Sequence, residues 1–176
     1  MMSMKRMLMM AVMTMALAVA GNAQGVAHGR TLHKNAQSGV TSAHGTVAKG
    51  PNGGAIAHGR RTSTDGQGSV TTAGGSAWRG PNGAKGARGG TTTVNGDGSA
   101  THKSGFAATG KNGSIESTGS SQRSADGAVS GERQTDITAK DGDTYQGETT
   151  WTKGQGYQHT GTCKDASGNV ISCPKK

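Results

Sequence analysis

The chain has 176 residues, a formal net charge of +9 and 32 glycines, with 30% hydrophobic and 3% aromatic residues. Past residue 23 its large apolar side chains number one Leu, four Ile, seven Val, one Phe, two Trp and two Tyr. Burying all of these is worth some ~35 kcal/mol at about 2 kcal/mol each, against about 1 to 2 kcal/mol per residue for ordering the backbone; this excludes an ordinary globular core and the water-free site that most catalysis needs.

In chain order, residues 1–23 read as a secretory signal peptide. Lys5 and Arg6 precede an apolar run from Met7 to Ala20, and small-residue cleavage sites follow at Ala18-Val19-Ala20 or Gly21-Asn22-Ala23. A membrane anchor needs about 20 apolar residues, more than this run offers, and no later segment is apolar enough to span a bilayer. The expectation is an exported bacterial protein in the periplasm, at the cell surface or outside the cell.

Residues 24–49 read as a partial repeat, with disorder as the competing expectation. Residues 50–127 hold a basic repeat of period thirty. Residues 50 to 79 and 80 to 109 align without gaps at thirteen identities in thirty, including Gly50-Pro51-Asn52-Gly53 and Gly80-Pro81-Asn82-Gly83. The register extends backwards, since Ala27-His28-Gly29-Arg30 returns as Ala57-His58-Gly59-Arg60. Self-similarity at a fixed period marks a repeat architecture.

Turn signals fall every 13 to 16 residues: Asn52-Gly53, Asp65-Gly66, Asn82-Gly83, Asn95-Gly96, Asn112-Gly113, Asp126-Gly127, Asp141-Gly142, then Gly154-Gln155-Gly156 and Ser167-Gly168-Asn169. Asn or Asp before Gly supplies the left-handed backbone of tight hairpins, and Pro ahead of Asn pre-sets the first turn angle. Segments of about ten residues between the turns are rich in Thr, Ser and Val, which suits strands. The expected fold is all-β: a repetitive antiparallel meander of about ten-residue strands joined by Asn/Asp-Gly turns. A β-solenoid, from the period, and a largely disordered chain, from the composition, are the alternatives.

Residues 128–176 alternate most cleanly. Val129, Gly131, Arg133, Thr135 and Ile137 fall on one face, followed by Tyr145, Gly147, Thr149 and Trp151, then Tyr157, His159, Gly161 and Cys163. Arg133 and His159 intrude on that less polar side. In the basic repeats the small residues recur (Thr71, Gly75 and Ala77 as Thr101, Gly105 and Ala107) while their neighbours vary, so one face is small and the other accepts bulk and charge. Cys163 and Cys173 form an even pair in an exported chain around a Ser-Gly-Asn turn, which predicts a disulfide clip on a hairpin.

Charge is unevenly spread. Residues 24 to 123 carry 11 Lys and Arg against 3 acidic residues, whereas 124 to 176 carry 6 against 7. Arg60, Arg61, Arg79, Lys85, Arg88 and Lys103 are the densest basic stretch, with Trp78 inside it and Phe106 beyond; basic groups interleaved with aromatics suit anionic polymers such as nucleic acid or lipopolysaccharide. Gly105 to Asn112 approximates a phosphate-binding loop but has Asn112 where a hydroxyl is needed and lies between strand and turn, so it reads as a hairpin turn. The three Ala-His-Gly copies at His28, His44 and His58 lack metal-ligand spacing and read as repeat copies. Thr91-Thr92-Thr93 resembles a threonine row but does not recur in every repeat. Neither a cofactor nor a catalytic set is expected.

A signal peptide, Gly-Pro-Asn-Gly turns between Thr/Gly/Arg-rich strands and the closing Thr162-Cys163-Lys164-Asp165-Ala166-Ser167-Gly168 together resemble the Gly/Thr-rich secreted β-repeat proteins of Gram-negative bacteria. More loosely, they are similar to bacterial functional-amyloid subunits, although the regularly spaced Gln and Asn of the curlin type are absent. The resemblance implies a structural role. The leading expectation is therefore a secreted, non-enzymatic surface or matrix protein that associates with itself, and the second is an electrostatic binding module for anionic polymers.

Overall fold

Glycine turns divide the chain into strands, and the strands follow one another across one sheet. The computed structural model describes residues 24–173, which contain no helix. They form β1 (Gly25–Lys34), β2 (Val40–Lys49), β3 (Ala55–Thr64), β4 (Val70–Arg79), β5 (Lys85–Val94), β6 (Ala100–Gly110), β7 (Gly113–Arg123), β8 (Val129–Ala139), β9 (Thr144–Thr152), β10 (Gly156–Lys164) and β11 (Val170–Ile171). Each strand pairs antiparallel with its sequence neighbours only, so the spatial order is β1 through β11. This is the meander, and the solenoid and disordered alternatives fall away. The thirty-residue period is two strands and two turns, because one full return along the sheet restores the chain direction. The partial repeat at 24–49 supplies the hairpin β1–β2.

The turns give the sequence reading a specific geometry. In Gly50-Pro51-Asn52-Gly53 the amide of Gly53 donates to the carbonyl of Gly50 at 3.3 Å and the amide of Gly50 to that of Gly54 at 2.8 Å; Gly83, Gly80 and Ala84 repeat this at 3.2 and 2.7 Å. Only the glycine is left-handed, with φ of 78° at Gly53, 79° at Gly83, 83° at Gly98 and 87° at Gly127. The Asn or Asp before it stays at negative φ, so these are type I turns closed by a glycine bulge rather than turns with two left-handed residues. Ser38 takes the glycine position in the first hairpin at φ 62°, a conformation that costs a residue with a Cβ about 1 to 2 kcal/mol.

A side chain also pins the turn on the edge that carries loops 35–39 and 65–69, as Asp165 does on the opposite edge. Asn35 Oδ1 accepts from the amides of Gln37 and Gly39 at 3.1 and 2.9 Å, and Asp65 Oδ1 from Gln67 and Ser69 at 2.7 and 3.0 Å. Neighbouring turns on that edge are tied together. Asn35 Nδ2 donates to the carbonyl of Thr64 at 2.8 Å, and Arg123 donates Nη2 to the carbonyl of Gly98 at 2.6 Å.

Strand alternation gives the sheet two unlike faces. Five-residue loops keep odd-numbered residues on one face from β1 to β6; the two-residue loop Lys111-Asn112 pairs Gly110 with Gly113 and moves that face to even numbers from β7 on. We call this the back face. Gly29, Gly45, Gly59, Gly75, Gly89 and Gly105 lie side by side on it in one row across six strands. The front face carries the bulk: Trp78, Phe106, Tyr145, Trp151 and Tyr157 all project from it.

No second layer covers either face. Among the described residues Cys163, at 6% exposure, is the one buried apolar side chain, and the buried polar ones are Thr41 and Ser117. Thr41 sits in a hydroxyl cluster, with Ser63 Oγ at 3.0 Å and Asn35 Nδ2 at 3.3 Å. The expected disulfide joins Cys163 to Cys173 across the last hairpin, with Cα atoms 5.3 Å apart.

The acidic turns make the fold sensitive to acid. Backbone amides of Gln67 and Ser69 hold the Asp65 carboxyl below its ordinary 3.8, and the same sense applies to Asp97 through Ser99, Asp126 through Ser124 and Asp165 through Asn169. A lowered folded-state value means the stabilisation is complete above 3.8 and is lost as pH falls through the folded value. Urea midpoints should therefore hold from neutral pH down to about pH 5 and drop below about pH 4. Asp65→Asn, which keeps the Oδ1 acceptor without the charge, should flatten part of that drop.

Candidate polyanion interface

The front face is built from rows that run across the strands. Val26, Ala48, Ile56, Trp78, Gly86, Ala108, Ile115, Ile137 and Tyr145 form an apolar row near one edge. Beside it lie two basic rows: His28, Thr46, His58, Ser76, Arg88 and Phe106, then Arg30, His44, Arg60, Gly74, Gly90, Ser104, Gly119, Arg133, Thr149 and His159. No strand residue on this face is acidic. Glu116, Glu132, Asp136 and Glu148, the acidic residues of the strands, all project from the back.

Glycine and broad side chains are matched on the front face. A Cβ on Gly86 would lie 2.7 Å from Nε1 of Trp78, its cross-strand partner, and one on Gly131 would strike the Trp151 indole. The Tyr145 ring covers Gly147 and Gly161, the Arg133 guanidinium lies over Gly119, and the His102 ring lies over Gly90. Each broad group rests on bare backbone, which substitutes for the packing that a second layer would give.

Neutral groups hold the basic side chains in place. Arg133 donates Nη1 to Ser117 Oγ at 2.9 Å and Nη2 to Ser104 Oγ at 3.2 Å, and Arg88 donates Nε to Ser76 Oγ at 3.1 Å. His159 bridges Tyr145 Oη at 2.9 Å and Thr149 Oγ1 at 2.8 Å. A shallow concavity of about 590 Å³ over β3–β8 is lined by His58, Ser76, Arg88, His102, Phe106 and Arg133, with Gly74 and Gly90 on its floor. Guanidinium groups oriented by hydroxyls keep their full charge for an external anion and offer paired donors to phosphate or sulfate oxygens.

The densest basic stretch of the sequence is split by the sheet. Arg60 and Arg88 lie on the front face, while Arg61, Arg79, Lys85 and Lys103 lie on the back. Arg30 and Arg133, from outside that stretch, complete the front site with His58 and His102, which lie in the same repeats as Arg60 and Arg88. The signal for Arg133 was its position on the less polar side of β8; nothing local in sequence joins it to Arg60. No protein-family model matches the chain, and neither a curated protein nor a solved structure matches it.

Matched glycines should be least tolerant of a side chain while their cover is present. Gly86→Ala should destabilise by about 1 to 3 kcal/mol through overpacking. In a Trp78→Ala background the same change should cost less, because only the 3.0 Å approach to the Ala107 carbonyl oxygen remains, and a urea-denaturation double-mutant cycle measures the difference.

Proposed function

We propose that the protein is an exported, non-enzymatic β-sheet protein that holds extended anionic polymers against its front face. The observation that carries this reading is the acid-free basic band across the strands. Arg30, Arg60, Arg88 and Arg133 stand on β1, β3, β5 and β8, at intervals of about 10 to 14 Å for strands about 4.8 Å apart. A linear polymer lying perpendicular to the strands meets them in turn. Phe106 and the apolar row beside the band give bases or acyl chains a surface to rest on. Phosphate-rich polymers, including nucleic acid and lipopolysaccharide, have this chemistry.

Oligo-dT and heparin, titrated by fluorescence anisotropy and calorimetry, test the reading. Affinity should fall linearly in log–log form with salt, through counterion release. Arg60→Gln and Arg133→Gln should each weaken binding and lower the salt slope by about one, while Arg79→Gln and Lys85→Gln on the back face should change both less. Equal effects from the two faces would reduce the interaction to net charge, and salt-independent binding would end the electrostatic reading.

The structural reading retains support from the edges. All ten residues of β1 are exposed, and β11 covers only Cys163 and Lys164 of β10. The outer ladder of β1 and residues 156–162 of β10 therefore stand open at opposite ends of the sheet, ready to pair with further strands.

A further inference from the structure

We propose that the back face is an interface between two copies of this chain, related by a two-fold axis running parallel to the strands between β6 and β7. The inference is independent of polymer binding and uses the opposite side of the sheet.

The two halves of the back face differ in both size and charge. From β1 to β6 its central row is glycine throughout, and the adjacent row is Ala apart from Val47. From β7 to β10 the same two rows become Thr, Gln, Glu and Asp. Every acidic strand residue lies in that second half, whose one basic strand residue on this face is Lys164; in the first half the acidic count is zero and Lys49, Arg61, Arg79, Lys85 and Lys103 project from this face.

The proposed axis lays β6 over β7 of the second copy, β5 over β8 and β4 over β9, with position along the strands preserved. Small then meets large: Gly89 faces Gln134, Gly75 faces Glu148 and Ala87 faces Asp136. Opposite charges meet as well, since Lys103 falls one strand from Glu132 and Lys85 two residues from Asp136. A two-fold perpendicular to the strands would place each strand on its own copy and set like on like. Stacking front faces would oppose arginine with arginine.

Size permits a stable contact. Eight overlapping strands about 4.8 Å apart and about ten residues long at about 3.4 Å each cover about 1,200 Å² per copy, above the roughly 800 Å² per partner of a standard interface. The product is a two-layer sandwich with a basic face on each outer side. It also supplies the second layer that the single sheet lacks.

Sedimentation velocity on the purified protein tests the proposal. It should run as a dimer whose dissociation constant rises with salt. Lys103→Glu should weaken dimerisation by about tenfold or more, because like charges set against each other across an interface are strongly unfavourable. Adding Glu132→Lys to the same chain should restore the dimer, with circular dichroism confirming that each variant stays folded. A monomer at all attainable concentrations overturns the proposal, as does indifference to Lys103→Glu or failure of the double variant to recover. Filaments that ignore these charges overturn it in favour of edge pairing. Oligo-dT binding, measured on the same variants, reports separately on the front face.

Discussion

The structure depends on main-chain pairing whose register is set hairpin by hairpin. With one buried apolar side chain among the described residues, no core selects which residues oppose which. Register comes from the turns instead. A type I turn closed by a left-handed glycine fixes the loop at five residues, so Lys49 must oppose Ala55 and Arg79 must oppose Lys85. Each pairing is local in sequence, which removes the loop-closure cost that slows distant strand pairing.

Glycine plays two parts in this design. In the turns it takes the backbone angle that a Cβ opposes. On the front face it makes room, so that Trp78, Trp151, Tyr145 and Arg133 lie against bare backbone. The glycines of the back-face row take no left-handed angle and, at Gly29, Gly45 and Gly59, have no side chain lying over them. Gly29 has no atom within 4 Å of where its Cβ would sit, and in the same row a Cβ on Gly105 would meet nothing closer than 3.8 Å. A bare row of this kind makes physical sense where something else approaches, which is why the two faces point to different partners.

Much of the fold was legible in the sequence. Period thirty, the alternating turns and the clean alternation of 129–163 gave the meander, its strand lengths and the Cys163–Cys173 clip. The turns were legible as well, and the structure adds that, Ser38 apart, their left-handed residues are glycines while Asn or Asp contributes through its side chain, as Asp65 does with Gln67 and Ser69. The basic site was less legible. A run of nearby Arg and Lys suggests one patch, yet alternation sends Arg60 and Arg61 to opposite faces. The two-residue loop at Lys111-Asn112 then switches parity, so Gly105 and Thr118 share a row although one number is odd and the other even. Only the pairing register brings Arg133 to Ser104, 29 residues away.

The most direct test of the central claim is residue-resolved amide hydrogen exchange on the purified protein. Hairpin-set pairing predicts slow exchange for ladder amides throughout β2 to β9, faster exchange in alternate residues of β1 where the outer edge is open, and fast exchange in the loops between them. Exchange as fast as in an unfolded peptide across all strands, or protection confined to the disulfide-clipped end, would contradict it.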